Sequence, residues 1–409
     1  RSGGGGDGDD VPRPVLFWIH GGSNVMGDST FFAGVYRAVA LLDVVVVAVN
    51  YRKSGFGYLA TSELSAELGG ASGNAGISDN LSALRWVQRN VAAFGGDPTR
   101  VTCMGQSSGA TNCLALLLSP AAAPLFSTAI LLSASDNITM PLREVEAKHE
   151  AFLKKVAPGC DLACLRAKSA KELADIFAPL ADTPFTLPTN RFAGYDWPPL
   201  VVVDGRIVQR PSLELKTTSN VIISTLEHEN ESLLLYTNNS LPSNHHQLVA
   251  MVDSAIRRDW GDGASAALVK LYSNVLKKHG AALTYCAMAA DIGVGCSRAP
   301  ICDAFIKYNG NNNHIYNVNV GAVPERPGGF YILPKTALHG AFHAWDFIAA
   351  FENWDLFKLT GAPVYNPSAG DVALGAALRA MWKPLIHGAA APPSNICAWS
   401  SDSGCVNYF

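Results

Sequence analysis

Charge is scarce in this 409-residue chain: Lys, Arg, Asp and Glu make up 16% of it, and the net charge is −3. No basic stripe stands out, so the electrostatic footprint of a nucleic-acid or anionic-membrane binder is missing. No apolar run is long enough to span a bilayer; the longest, around Val44 to Val49, has the length of a buried strand. No cysteine pair has the C-x-x-C spacing of a zinc site, and no segment repeats. What remains is a chain that is 48% apolar, ample for a sizeable core. Nothing in it calls for a metal or a cofactor.

Nine cysteines are present. Cys160 and Cys164 frame a short loop that a disulfide can close, whereas Cys103 and Cys113 lie in apolar runs and read as buried thiols. Four N-x-S/T triplets begin at Asn80, Asn137, Asn230 and Asn238. Together with the cysteines they point to a glycoprotein of the secretory pathway. The opening RSGGGGDGDD reads as a flexible linker or cut end over residues 1–12, ahead of one folded unit over residues 13–409.

Apolar β-branched runs alternate with amphipathic helices along the first third of the chain. Strands are expected at Val15 to Ile19, Val44 to Val49, Val101 to Met104 and Thr128 to Leu132, then again at Val221 to Ser224 and Ile315 to Val320. Leu81, Leu84, Val87 and Val91 recur at helical spacing, with Ser78 or Asp79 as the cap and Gly95 as the stop. Near-continuous apolar strands separated by helices predict an α/β architecture, a mostly parallel sheet covered on both faces. Within it, VTCMGQSSGAT runs strand, tight turn, helix, and places Ser107 at the turn between Gly105 and Gly109. That is the setting of a nucleophile elbow, in which bulkier residues two positions either side of the serine would clash.

Several blocks, FWIHGG, VVVVAVNYRKSGFGYL and GNAGISDNLSALRWVQRNVAAFGGDPTRVTCMGQSSGA, resemble the type-B carboxylesterase/cholinesterase family of the α/β-hydrolase fold. The likeness is dense from Val15 to Ser133 and returns in VIISTLEHENESLLLY, in HGAFHAWDFIAAF and around Met381-Trp382. Members usually carry a long segment before the HGG block, so the resemblance implies an N-terminally incomplete domain with an exposed sheet edge.

The resemblance implies a serine esterase with a Ser-His-Glu triad. Ser107 matches the nucleophile, His343 the base and Glu229 the acid, in the chain order nucleophile, acid, histidine. His339 is the rival histidine, and Glu227 and Glu231 are the rival acids. The implied oxyanion donors are the backbone amides of Gly22, Ser23 and Ser108. Five positions depart from the family pattern: Ser23 stands in a glycine position, Ser108 replaces alanine, Asn230 replaces the glycine after the acid, Ala344 the glycine after the histidine, and Gln106 a glutamate often found before the nucleophile. A cation–π site for choline has no support here, so the expected substrate is a small uncharged ester. Arg52 and Asp79 match family positions and are expected as a structural pair within the core. Two other readings compete: a lipase-type member of the same family, and a cholinesterase-like binding or adhesion domain that keeps the fold without the activity.

Overall fold

The computed structural model describes residues 11–30, 32–134, 138, 140–178, 201–229, 241–295, 298–309, 314–325, 340–356, 364–398 and 406–409. Among them the apolar runs form β1 (Arg13–Ile19), β2 (Val45–Val49), β3 (Gly96–Gln106), β4 (Thr128–Leu132), β5 (Asn220–Leu226), β6 (Ile315–Val320) and β7 (Val406–Tyr408). They make one sheet in the order β2-β1-β3-β4-β5-β6-β7, with every neighbouring pair parallel. β2 forms one edge, and its first four residues are only half-buried. β7 has no counterpart among the strands expected from the sequence; Val406 pairs with Asn317 of β6.

Alternation along the strands sorts side chains into two cores. Val15, Phe17, Ile19, Val101, Cys103, Ala129 and Leu131 face one side, where the helices Ala75–Asn90 and Ser108–Leu117 pack. Leu16, Trp18, Met104, Ile130 and Leu132 face the other, against the helices Trp345–Ala350 and Ala369–Ile386. Trp18, Trp345 and Trp382 are fully buried on that second side. Each such side chain contributes roughly 4–6 kcal/mol of gross burial before the entropy of ordering is subtracted. The helices His245–Trp260, Ala264–Leu271 and Ser273–Ala290 form a satellite with a smaller core of their own.

Three local expectations change. The helix Ala75–Asn90 is preceded by Asn74 rather than capped by Ser78 or Asp79. Asn74 spends its amide on Val202, donating to its carbonyl at 2.8 Å and accepting from its N–H at 3.2 Å. Asp79 instead takes a two-pronged bond from Arg52, at 2.8 Å on each carboxylate oxygen, and the pair sits at the surface with the Arg52 side chain 56% exposed. Arg52 and Asp79 are therefore paired, but outside the core. Asn80 is completely buried, which removes it as a glycosylation site; Asn137, Asn230 and Asn238 lie outside the described residues. Cys160 and Cys164 form the expected disulfide, and Cys103 and Cys113 are buried free thiols.

Candidate active site

β1 is flanked by β2 on one side and β3 on the other, so the chain leaves the ends of β1 and β3 in opposite directions. Parallel sheets open a crevice at such a switch point, outside the carboxyl ends of the strands. The two segments singled out in the sequence lie there: His20-Gly21-Gly22-Ser23 follows β1, and Ser107 follows β3.

Ser107 has φ 59° and ψ −130°, a conformation that costs a non-glycine residue roughly 1–3 kcal/mol. Its amide donates to the Leu132 carbonyl at 2.8 Å, which ties the turn to the end of β4. The helix Ser108–Leu117 starts at once. Close approach explains both flanking glycines. A Cβ on Gly109 would stand 2.1 Å from the Ile19 carbonyl oxygen, and one on Gly105 would stand 2.4 Å from the Gly109 carbonyl carbon.

Glu229 and His343 come from two loops that the fold stitches together. His228 bridges Phe342 in parallel fashion, and its N–H donates to the Ala341 carbonyl at 3.1 Å. That bridge brings the residue after each partner side by side. Glu229 is buried, whereas Glu227 faces solvent. One Glu229 oxygen accepts from the Leu226 N–H at 2.9 Å, and the other lies 2.6 Å from His343 Nδ1. Glu231 and His339, the rivals, lie outside the described residues. Ala344, in the glycine position, takes φ 74° at the start of the helix Trp345–Ala350.

Burial pulls the His343 pKa down, but the hydrogen bond and charge of Glu229, with the charge of Asp346, outweigh it, and the pKa rises above its ordinary 6.5. Asp346 is wholly buried; burial first, then repulsion from Glu229, pushes its pKa up to about 7 against the hydrogen bonds from Ser224 and Phe347. The far side of the imidazole meets the elbow through an unexpected partner: His343 Nε2 lies 3.1 Å from Gln106 Nε2. The amide of Gln106, not the hydroxyl of Ser107, occupies that nitrogen. Such bonds in unliganded sites are often long or unformed until substrate arrives.

The loop after β1 holds its shape with unusual backbone. Gly22 has φ 112°, and Ser23 adopts φ 56° although it carries a side chain. The amides of Val25 and Met26 both donate to the Gly22 carbonyl at 3.0 Å. Ser108, the substitution for alanine, accepts the Asn24 N–H on its hydroxyl at 3.0 Å and so links the elbow to this loop. Behind it lies a buried polar network that the sequence reading missed. The Tyr51 hydroxyl lies 2.9 Å from the His20 carbonyl and 3.1 Å from Asn24 Oδ1, its one proton shared between the two acceptors. Asn112 donates to Asn24 at 3.0 Å and accepts from Tyr58 at 3.2 Å. A signal was present: an asparagine inside the apolar run of Ser108–Leu117 has to find partners, since burying it without them is costly.

Among the described residues no group of three or more His, Cys, Asp or Glu side chains is arranged to hold a metal ion. No helix of the described residues is long and apolar enough to cross a membrane.

Comparison with known proteins adds four findings. The model of the carboxylesterase family matches residues 8–384. Pig (Sus scrofa) liver carboxylesterase is 38% identical over 172 residues, which is 40% of this chain and 29% of that protein. Mouse (Mus musculus) neuroligin-2 is 36% identical over 174 residues, 41% of this chain and 20% of its own length. Both matches therefore span less than a third of the relative. A solved structure titled PNB esterase superposes with a TM-score of 0.71 at 25% identity, covering 96% of this chain and 75% of that one.

Proposed function

This chain belongs to the carboxylesterase family, and from that premise we propose that it is a serine hydrolase of small uncharged carboxylic esters. Its fold is the α/β-hydrolase fold. The observation that carries the reading is the His343 imidazole, clamped by the buried Glu229 carboxylate at 2.6 Å and turned on its other side to the residue adjoining Ser107.

In this reading Ser107 is the nucleophile, His343 the base and Glu229 the acid that orients it. Glu229, acceptor-only when ionised, keeps the proton on Nδ1 and leaves the Nε2 lone pair for the serine hydroxyl. Ser107 attacks the carbonyl carbon as His343 takes its proton. The imidazolium then protonates the leaving alkoxide, and an acyl-enzyme remains. Water, deprotonated by the same imidazole, releases the acid. The amides of Gly22, Ser23 and Ser108 receive the oxyanion; losing one such donor costs roughly 3 kcal/mol of transition-state stabilisation. No cofactor enters. A neutral Gln106 beside the nucleophile gives a cationic ester no carboxylate to approach, which supports an uncharged substrate. The Cys160–Cys164 disulfide supports an oxidising, secretory compartment.

The decisive experiment is hydrolysis of p-nitrophenyl butyrate by the wild type and by Ser107→Ala, with fluorophosphonate labelling mapped to the modified residue. Label on Ser107 and loss of nearly all turnover in the variant are expected. A second reading, a binding domain without turnover, draws on one observation, that Nε2 is occupied by Gln106 rather than by the hydroxyl. Equal rates for wild type and variant, with no label on Ser107, would establish it instead.

A further inference from the structure

We propose that Gln106 is a positioning residue that holds His343 in its neutral resting form, donating an amide hydrogen bond to Nε2 that the Ser107 hydroxyl must displace. This deepens the triad reading and rests on it for its catalytic consequence, though not for the hydrogen bond itself.

The donor–acceptor roles follow from the far side of the ring. Glu229 uses one oxygen on the Leu226 N–H and the other on His343 Nδ1. A carboxylate only accepts, so Nδ1 carries a proton, and in the neutral ring Nε2 presents a bare lone pair. The atom 3.1 Å from that lone pair is the Gln106 amide nitrogen, a donor. Gln106 is itself 1% exposed, so its amide cannot turn to water. Its carbonyl oxygen lies against the loop after β1, 2.9 Å from where a Cβ on Gly21 would stand. The amide is wedged between that loop and the imidazole, and the glycine makes the space.

The energetic sense is clear from the charges around the ring. The described charged groups acting on His343 are Glu229, in the loop after β5, and Asp346, on the helix Trp345–Ala350. Both are acidic, and both favour the imidazolium. A hydrogen bond donated to Nε2 exists only while that nitrogen is unprotonated, so it favours the neutral ring and opposes the two carboxylates. Gln106 thus keeps the base available at lower pH than its carboxylate neighbours alone would allow, and it competes with Ser107 for the same lone pair.

The test follows the imidazole directly. The full chain is labelled on histidine, and the His343 ring titration is read by NMR in wild type, Gln106→Met and Ser107→Ala. Methionine keeps the length of the side chain without the donor. The His343 midpoint should rise by roughly 0.5–1 pH unit in Gln106→Met, the worth of one ordinary hydrogen bond to the neutral form. It should stay where it is in Ser107→Ala, because the hydroxyl is not the resting partner. The acid limb of kcat/KM for p-nitrophenyl butyrate should move with the Gln106→Met midpoint. An unmoved midpoint in Gln106→Met, or one that moves in Ser107→Ala, overturns the proposal; the serine variant alone suffices should the methionine variant fail to fold. A titration that shifts as expected in a protein without esterase activity would keep the hydrogen bond and remove the triad reading instead.

Discussion

Glu229→Gln puts the orienting carboxylate to the test because both of its oxygens are already committed. One accepts from the buried Leu226 N–H at 2.9 Å and the other faces His343 Nδ1 at 2.6 Å. Glutamine has a single carbonyl oxygen and must choose. With the carbonyl towards His343, its NH2 group opposes the Leu226 N–H, two donors facing one another at a cost of about 1–3 kcal/mol. With the carbonyl towards Leu226, its NH2 donates to Nδ1, and the ring proton moves to Nε2, where no lone pair is left for Ser107. The second arrangement in turn sets the new Nε2–H against the Gln106 amide, so both oppose two donors, and the geometry that presents Nε2 to Ser107 is disfavoured by about 1–3 kcal/mol either way. The imidazolium of the transition state also loses its charged partner, worth about 1.5–3 kcal/mol more. The combined expectation is a fall in kcat of roughly a hundredfold to ten-thousandfold, the upper end being what a carboxylate-to-amide change costs in other serine triads. Steady-state hydrolysis of p-nitrophenyl butyrate, beside a melting curve to establish that the variant is folded, measures it. A folded Glu229→Gln protein within a few-fold of wild-type kcat would refute the assignment of this acid.

Gly109→Ala should prevent assembly of the elbow, since the added carbon meets the Ile19 carbonyl oxygen at 2.1 Å in backbone that has nowhere to move; a strongly lowered melting temperature or insoluble expression is the expected outcome, and a native-like melting curve would contradict it. Asn112→Ala strips partners from the buried Asn24 amide and Tyr58 hydroxyl, and denaturant unfolding should read a loss of about 2–4 kcal/mol. Wild-type kcat/KM should have its acid limb above pH 6.5, because the His343 pKa is raised, and Asp346→Asn should move that limb to lower pH by removing one of the charges that raise it. Asp346→Asn also has a stability signature. The folded pKa of Asp346, about 7, exceeds its ordinary 3.8, so between those values the native state holds a proton that the unfolded chain has released. Stability from this group is fully present below pH 3.8 and is lost as pH rises towards 7, so the variant should gain on wild type more at pH 8 than at pH 5. An identical difference at both pH values would refute that account.

Much of the sheet could be read from the chain because its signal is local. Apolar runs such as Val45–Val49 and Thr128–Leu132 read as strands on sight, and a helix that repeats Leu81, Leu84 and Val87 has one face to hide. The elbow was legible for a steric reason, two glycines needed where β1, β3 and the helix Ser108–Leu117 nearly touch. β7 was not legible, because three residues carry no periodicity until a neighbouring strand selects them. Nor was the cap of Ala75–Asn90, where Asn74 found a stronger partner in Val202, 128 positions away.

The site divides along the same line. Composition and short-range pattern determined the parallel α/β architecture and put Ser107 at its turn, since hydrophobic period and backbone clash act between residues a few positions apart. Tertiary structure alone decided that Glu229 turns inward while Glu227 faces solvent, how Ser23 and Ala344 take up left-handed backbone, and which group meets the imidazole. Glu229 and His343 are separated by 114 positions, and Gln106 and His343 by 237. Whether such side chains converge depends on the His228–Phe342 bridge and the packing beneath it, which bring together residues that no local pattern relates.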